Sequence, residues 1–282
     1  MRKDNILVVG ASGTVGSALK AQLKLQGYSI IATTSKKVQN SKEQVRVDLA
    51  TGEGIKEAFE GIDKAFFLSP PGYADQYAML SPLIKEAKRR GLRKVVLMTA
   101  MGANANEASP FRRAEIELEK SGVDYNIIRP NWFFQNFNTF WIQAINEQNK
   151  ILLPAGNAKV SFIDARDIAA VAAKLLVSDD FGRKDFDLTG AESIDHAQVA
   201  ESISKVSGRK VEYKEISPEE FKQGLLRVGL PEDYANFLNI IFGFLREGYS
   251  QKITTSVKDI IGSEPRTISQ YTIDYKNEWN IK

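Results

Sequence analysis

Ile6-Leu7-Val8-Val9-Gly10-Ala11-Ser12-Gly13-Thr14-Val15-Gly16 stands at the head of this 282-residue chain, and its reading decides the fold. Four consecutive apolar residues describe a buried strand. Three glycines at three-residue spacing describe a turn, and residues 17–24 read as an amphipathic helix. Strand, glycine turn and helix, in that order, are the setting a dinucleotide fingerprint requires. Gly10 lets the chain turn off the strand, Gly13 leaves room for a pyrophosphate against the backbone, and Gly16 lets the helix lie close to the strand. Backbone N–H groups of Ser12, Gly13, Thr14, Val15 and Gly16, at the positive end of the helix dipole, then face the phosphates.

Working outward, strands and helices alternate. Residues 28–33, 44–49, 64–68, 94–99 and 125–130 read as short apolar strands. Residues 55–60, 77–90 and 111–120 read as helices. Short apolar strands separated by helices predict a parallel, doubly wound α/β sheet. The strand tips after Val9, Leu68, Thr99 and Arg129 then share one edge, where ligands bind. Further on, 158–163 reads as a strand, 167–177 as a helix and 185–188 as a strand. The remainder reads as helices punctuated by Pro218, Pro231 and Pro265. The expected organisation is a nucleotide-binding domain over 1–150, its sheet completed by segments within 158–190. Residues 191–282 would form a smaller, mainly helical substrate lobe.

Composition narrows the chemistry. There is no cysteine, which removes thiol catalysis, disulfides and cysteine-ligated metals, and fits a reducing cytoplasmic setting. His196 is the only histidine, so no histidine-rich metal site is expected, and the residue reads as part of a helix start. The formal net charge of +3 is spread along the chain and does not point to nucleic acid as a partner. No apolar run approaches membrane-spanning length. A small-molecule partner is expected instead.

The end of the second strand speaks to cofactor choice. Sites that prefer NAD place an acid there, about 20 residues past the glycines, to bind the ribose hydroxyls. Here the stretch is Ala32-Thr33-Thr34-Ser35-Lys36-Lys37, without an acid. Hydroxyl and ammonium groups suit a 2′-phosphate, so Ser35 and Lys36 are candidate contacts and NADP is favoured over NAD. The competing reading makes the lysines a solvated turn. Asp48, followed by Leu49, either accepts a hydrogen bond from the adenine amino group or caps the next helix.

Several segments carry a resemblance. They are Gly10 to Gly16, Val47-Asp48-Leu49, Phe66-Phe67-Leu68-Ser69-Pro70, Ser121-Gly-Val-Asp-Tyr-Asn-Ile-Ile-Arg-Pro-Asn-Trp-Phe-Phe-Gln-Asn-Phe137 and Phe162-Ile-Asp-Ala-Arg-Asp-Ile-Ala169. With them the chain resembles the NmrA-like family of atypical short-chain dehydrogenases/reductases over nearly its whole length. The resemblance implies a Rossmann-type domain with a small C-terminal substrate lobe. It also implies similarity to NAD(P)H:quinone reductases and triphenylmethane-dye reductases. The same family holds redox-sensing regulators that bind the nucleotide, and a protein partner, without turnover.

Two departures shape the expected mechanism. No tyrosine is followed by a lysine four residues later, so the usual proton-shuttling pair is absent and no catalytic side chain is assigned. Where some relatives carry His or Lys near the start of the helix before Ser121-Gly122, this chain has Phe111. Reduction of simple carbonyls, which needs a proton donor beside the oxygen, is therefore disfavoured. Hydride delivery to an acceptor that spreads the charge is retained. Thr99 holds the place of the usual short-chain dehydrogenase serine. It is grouped with Ala100 and Met101, and with Ser69 and Pro70, as lining of the cofactor site. Phe111, Asn131, Trp132, Phe133 and Phe134 are the candidate substrate pocket, with half of these rings expected to be plain core. The apolar helix around Tyr234, Phe237, Leu238, Ile241, Phe242 and Leu245 reads as lid, core or homodimer surface.

Overall fold

The computed structural model describes residues 3–36, 41 and 43–279; Lys37 of the second-strand tip lies outside the described residues. In chain order the elements are β1 (Asn5–Val8), α1 (Thr14–Leu25), β2 (Ser29–Thr34), β3 (Gln44–Arg46), α2 (Ile55–Ala58), β4 (Lys64–Phe67), α3 (Gln76–Arg90) and β5 (Lys94–Met98). Then come α4 (Pro110–Glu119), β6 (Asp124–Pro130), α5 (Ile142–Gln148), β7 (Lys150–Leu153), α6 (Ala165–Val177) and β8 (Lys184–Leu188). The chain ends with α7 (His196–Ser207), β9 (Glu212–Glu215), α8 (Pro218–Arg227), α9 (Glu232–Arg246), α10 (Ser256–Ile261) and α11 (Ile268–Asp274).

Seven strands form one all-parallel sheet in the order β3-β2-β1-β4-β5-β6-β8. This is a Rossmann-type α/β fold. Alternation explains its two layers. In β1, Ile6 and Val8 point to one face, where they meet Leu19 and Leu23 of α1 and a row of α6 residues including Ile168, Val171 and Leu175. Leu7 points to the other face, against Leu80, Leu83 and Ile84 of α3 and Ala114 and Leu118 of α4. Both faces are covered, which is why the strands read as apolar runs rather than as alternating ones. Strand order reverses between β1 and β4, opening the crevice in which such sheets hold ligands.

Two lysines at the opposite edge have no counterpart in the sequence reading. Lys64 at the start of β4 donates to the Leu176 carbonyl at 2.9 Å and pairs with Asp4. Lys94 at the start of β5 is 1% exposed and donates to the Ser178 carbonyl at 2.8 Å. Together they close the C-terminal end of α6, whose last carbonyls lack helical partners. Burial pulls the Lys94 pKa down, only partly opposed by Asp124. Lys94→Met keeps the stem and removes the ammonium. It is expected to lose about 1–3 kcal/mol of stability through the stranded carbonyl. Urea unfolding checks this, and an unchanged midpoint would show that the ammonium does not hold the helix end.

Two features outside the seven-stranded sheet differ from expectation. β7 and β9 form a two-stranded parallel sheet that the apolar pattern did not disclose. Residues 158–163, expected as a strand, form only single bridges, Val160 to Ile194 and Ile163 to Phe133. The reason is visible in their partners. Val160 bonds to Ile194, Ser161 to Ser250 and Ile163 to Trp132, so the backbone meets a different segment at each step and no ladder extends. A third core draws on residues from 134–162 and 194–279, among them Phe134, Phe162, Phe242, Tyr271 and Trp279.

Candidate nucleotide and acceptor site

The glycine loop leaves β1 at the strand-order switch. Gly10 has φ of 70°, and a Cβ there would lie 2.8 Å from the Leu68 side chain. A Cβ on Gly16 would lie 2.3 Å from the Gly10 carbonyl oxygen, so helix and loop close directly on each other. Gly13 is different. Its φ is −82° and a Cβ would meet only the Gly10 oxygen, at 3.3 Å. A Cβ at position 13 would thus press on this one backbone oxygen, far less than one at position 16 would. It is exposed, beside exposed Ser12 and Thr14, while Val15 and Gly16 are buried beneath. Gly13 caps α1 without a side-chain bond, and the first helical bond runs from Ser17 N–H to the Gly13 carbonyl. The N–H groups of Thr14, Val15 and Gly16 precede that bond and sit at the positive end of α1. This cradle fits a pyrophosphate.

On one side lies the tip of β2. Thr33 accepts the Gly10 N–H at 3.2 Å and ties the loop to this strand. Ser35 and Lys36 are exposed beyond it. Asp48 and Leu49 follow β3 and are half-buried. One Asp48 oxygen accepts the N–H groups of Ala50 and Thr51 at 2.9 and 3.2 Å, so this carboxylate caps a turn rather than helix α2, whose cap position is Gly54.

On the other side, Ser69 and Pro70 follow β4, half-buried. Thr99, Ala100 and Met101 follow β5, with the Met101 N–H bonded to the Pro130 carbonyl. Thr99 donates its hydroxyl to Glu115 Oε1 at 2.6 Å. Glu115, on α4, is wholly buried and is gripped by Arg129 through Nε and Nη2, each at 2.8 Å, and by Arg112 at 3.0 Å. Burial alone would raise its pKa. The Arg129 and Thr99 hydrogen bonds and the Arg129 charge outweigh that and bring it below the usual carboxylate value. Arg129 reaches on to Asp185 of β8. Glu115 carries no signal in the sequence, because Arg129 and Thr99 stand beside it only in the fold. Phe111 lies one turn earlier on α4, half-buried against the core on the α3 side.

The aromatic segment after β6 divides among three surroundings. Asn131 is buried and donates to Ser161 and to the Ser250 carbonyl, both at 2.8 Å, so it pins the return segment. Phe134 is 2% exposed and stacks with Tyr271 and Phe162 within the third core. Phe133 packs on the α1–α6 side of the sheet. Trp132 stays half-buried, 4.8 Å from Phe242 by ring centroid. Helix α9 resolves likewise, with Ala235, Phe242 and Leu245 buried in the core and Tyr234, Phe237 and Ile241 half-exposed. The Tyr234 phenol meets the Gly72 backbone after β4, and burial raises its pKa. The start of α9 therefore leans on the sheet edge that carries Ser69 and Pro70. Among the described residues no helix is long and apolar enough to cross a membrane.

A glycine cradle at the switch point of a parallel, doubly wound sheet defines a Rossmann-type nucleotide-binding protein. The chain belongs to the NmrA-like family, whose pattern matches residues 2–272. It is 31% identical to the Bacillus subtilis protein called uncharacterized oxidoreductase YesF, over 99% of this chain and 98% of that one. It is also 31% identical to the NAD(P)H azoreductase of Xenophilus azovorans, over 94% and 96%. The solved structure of Citrobacter sp. triphenylmethane reductase complexed with NADP(H) shares the fold, with a TM-score of 0.78, 23% identity, and coverage of 96% of this chain and 99% of that one.

Proposed function

We propose that this chain, an NAD(P)H-dependent oxidoreductase, prefers NADPH and passes hydride to a conjugated small-molecule acceptor, quinone-like compounds included. The observation that carries the reading is Gly13, an exposed glycine at the start of α1 whose Cβ would meet only the Gly10 oxygen, at 3.3 Å, and would stand where a pyrophosphate approaches. The N–H groups of Thr14, Val15 and Gly16 would hold the phosphates, and Ser35 and Lys36 the 2′-phosphate. Asp48 and Leu49 would border the adenine, and Ser69, Pro70, Thr99, Ala100 and Met101 the nicotinamide end. The bound dinucleotide supplies hydride, that is, two electrons and one hydrogen. The protein's own residues position and enclose. Phe111 carries no transferable proton, and the Thr99 hydroxyl proton is engaged by Glu115. A ketone's developing alkoxide would find no positioned donor here, whereas an acceptor that delocalises charge needs none. Trp132 and the half-exposed side of α9 offer apolar surface to such an acceptor.

The test follows NADPH absorbance with quinones, dyes, enones and simple ketones. Turnover of conjugated acceptors and none of ketones is expected. Tight NADPH binding with no turnover of anything would instead identify a nucleotide sensor. Lys36→Ala is expected to weaken NADPH at least ~10-fold, as a charge-assisted phosphate contact contributes about 1.5–3 kcal/mol, and to leave NADH unchanged. Calorimetry showing equal affinity of the unmodified protein for both nucleotides would overturn the NADPH preference.

A further inference from the structure

We propose that the cleft between the outward face of the β7–β9 sheet and α8 is a second binding site, for a small organic molecule that joins two carboxylates to an apolar body. The cleft shares no residue with the nucleotide cradle or with the acceptor side described above.

Strand pairing builds the cleft. β7 and β9 run parallel, with Lys150 opposite Glu212 and Leu152 opposite Lys214. Side chains alternate along a strand. Ile151, Leu153 and Tyr213 turn into the third core, so Lys150, Leu152 and Lys214 turn out of it. No further strand covers this face, since the sheet has two strands only. Helix α8 flanks it instead, and a cavity of about 570 Å³ remains between them, with Leu152 and Ile216 as its apolar floor and Arg227 on the helix side. Leu152, Ile216 and Lys150 are half-buried, whereas Lys214 and Arg227 are exposed. That volume suits a small molecule.

The charges in the cleft choose the ligand. Its acids are already engaged. Glu220 accepts the Ser217 N–H at 2.8 Å in the capping box of α8, and Glu219 accepts the Gln223 amide at 2.8 Å. Glu212, beside Lys150 on the same face, pairs with Lys210. The cations are not engaged. Among the described residues Lys150, Lys214 and Arg227 have no hydrogen-bond or ion-pair partner, and the two lysines act on Glu212 and Glu220 only as lesser through-space charges. Three free cations around an apolar floor repel one another and attract an anion. Arg227 can fork onto one carboxylate, and the lysines can hold a second as point charges. The floor of Leu152 and Ile216 rewards an apolar body between the two.

The experiment titrates the full chain with 2,6-naphthalenedicarboxylate by calorimetry, with NADPH present so that the nucleotide cradle does not compete for the probe. The readout needs no turnover. Saturable binding with a dissociation constant below about 1 mM is expected. 2-Naphthoate, with one carboxylate, and succinate, with two but no apolar body, should each bind at least ~5-fold more weakly. Lys150→Met and Arg227→Met should each weaken the probe about tenfold, the effect of losing one charge-assisted hydrogen bond. Both side chains are free of internal bonds, so the variants should keep the wild-type thermal midpoint. Lys258→Met, on α10 and outside the cleft, should bind as the wild type does. Absence of binding at 10 mM probe, a doubly substituted Lys150→Met, Arg227→Met protein with undiminished affinity, or equal weakening by Lys258→Met overturns the proposal. Tighter binding of hexaglutamate than of the probe would also overturn it, by making the cleft a dock for an acidic peptide.

Discussion

A Gly13→Val protein is expected to fold like the wild type and to lose NADPH binding by at least ~100-fold, about 3 kcal/mol. The backbone at 13, with φ of −82° and ψ of 177°, is extended and suits a β-branched residue. The nearest atom to a new Cβ is the Gly10 oxygen at 3.3 Å, a tight contact that a small shift relieves. What the valine fills is the exposed space above the start of α1, where a pyrophosphate would meet the N–H groups. Gly16→Val is the contrasting control. Its Cβ would enter backbone at 2.3 Å, so that variant should fail in folding rather than in binding. Circular dichroism and calorimetry separate the two. A folded Gly13→Val protein with undiminished affinity would remove the loop from the phosphate site.

The second large effect is a loss of stability in mild acid. His196 begins α7, is completely buried, and neither ring nitrogen has a hydrogen-bond partner. Phe162, Tyr213, Phe137 and Trp141 surround it, with ring centroids 5.4 to 6.5 Å away. Burial pulls its pKa down to about 4, against a small opposing pull from Asp195. The unfolded chain takes up this proton near 6.5, and the folded chain resists until about 4. Stability from this residue is therefore complete above pH 6.5 and lost as pH falls towards 4. At ~1.4 kcal/mol per pKa unit the difference of about 2.5 units corresponds to a loss of about 3 kcal/mol. Urea unfolding at pH 7 and pH 4.5 measures it, and His196→Leu should flatten most of the slope between them. Glu86, lowered to about 2 chiefly by its Arg89 hydrogen bond, acts only at still lower pH. If the slope survives in the leucine variant, the buried imidazole is not its source.

The elements around the nucleotide were legible in the sequence because their causes are local. β1, β4 and β5 are covered on both faces and carry the apolar runs Ile6–Val9, Ala65–Leu68 and Val95–Met98, whereas β6 sets Ile127 and Ile128 between the buried polar residues Asn126 and Arg129. The Gly10 and Gly16 requirements arise from atoms a few residues away or on the neighbouring strand. Residues 158–163 misled for the opposite reason. Their burial is that of a strand, but their backbone partners are scattered over Trp132, Ile194 and Ser250, which no periodicity records. Strands β7 and β9 were invisible because Glu212–Glu215 is exposed at three of four positions and gains its place from pairing with Lys150–Leu153. Among site residues, the aromatic run was read as a wall because its position after β6 is fixed by the fold. Which way each ring turns is decided by Tyr271, Phe162 and Phe242, far off in the chain. Glu115 was missed because a buried carboxylate is recognisable only once Arg129 and Thr99 stand beside it.

The insertion of β7 before β8 has a consequence during synthesis. The chain completes β6, runs some fifty residues through α5, β7 and α6, and returns with Lys184–Leu188 to finish the first sheet. Until that segment leaves the ribosome, β6 is a bare edge with a free row of N–H and C=O groups, open to pairing with any extended chain nearby. Arg129, near the end of β6, meanwhile lacks the Asp185 that β8 brings. A nascent chain stalled between β6 and β8 should therefore be the aggregation-prone species, and the residues that guard against it are those that speed the return, the well-packed helix α6 above all.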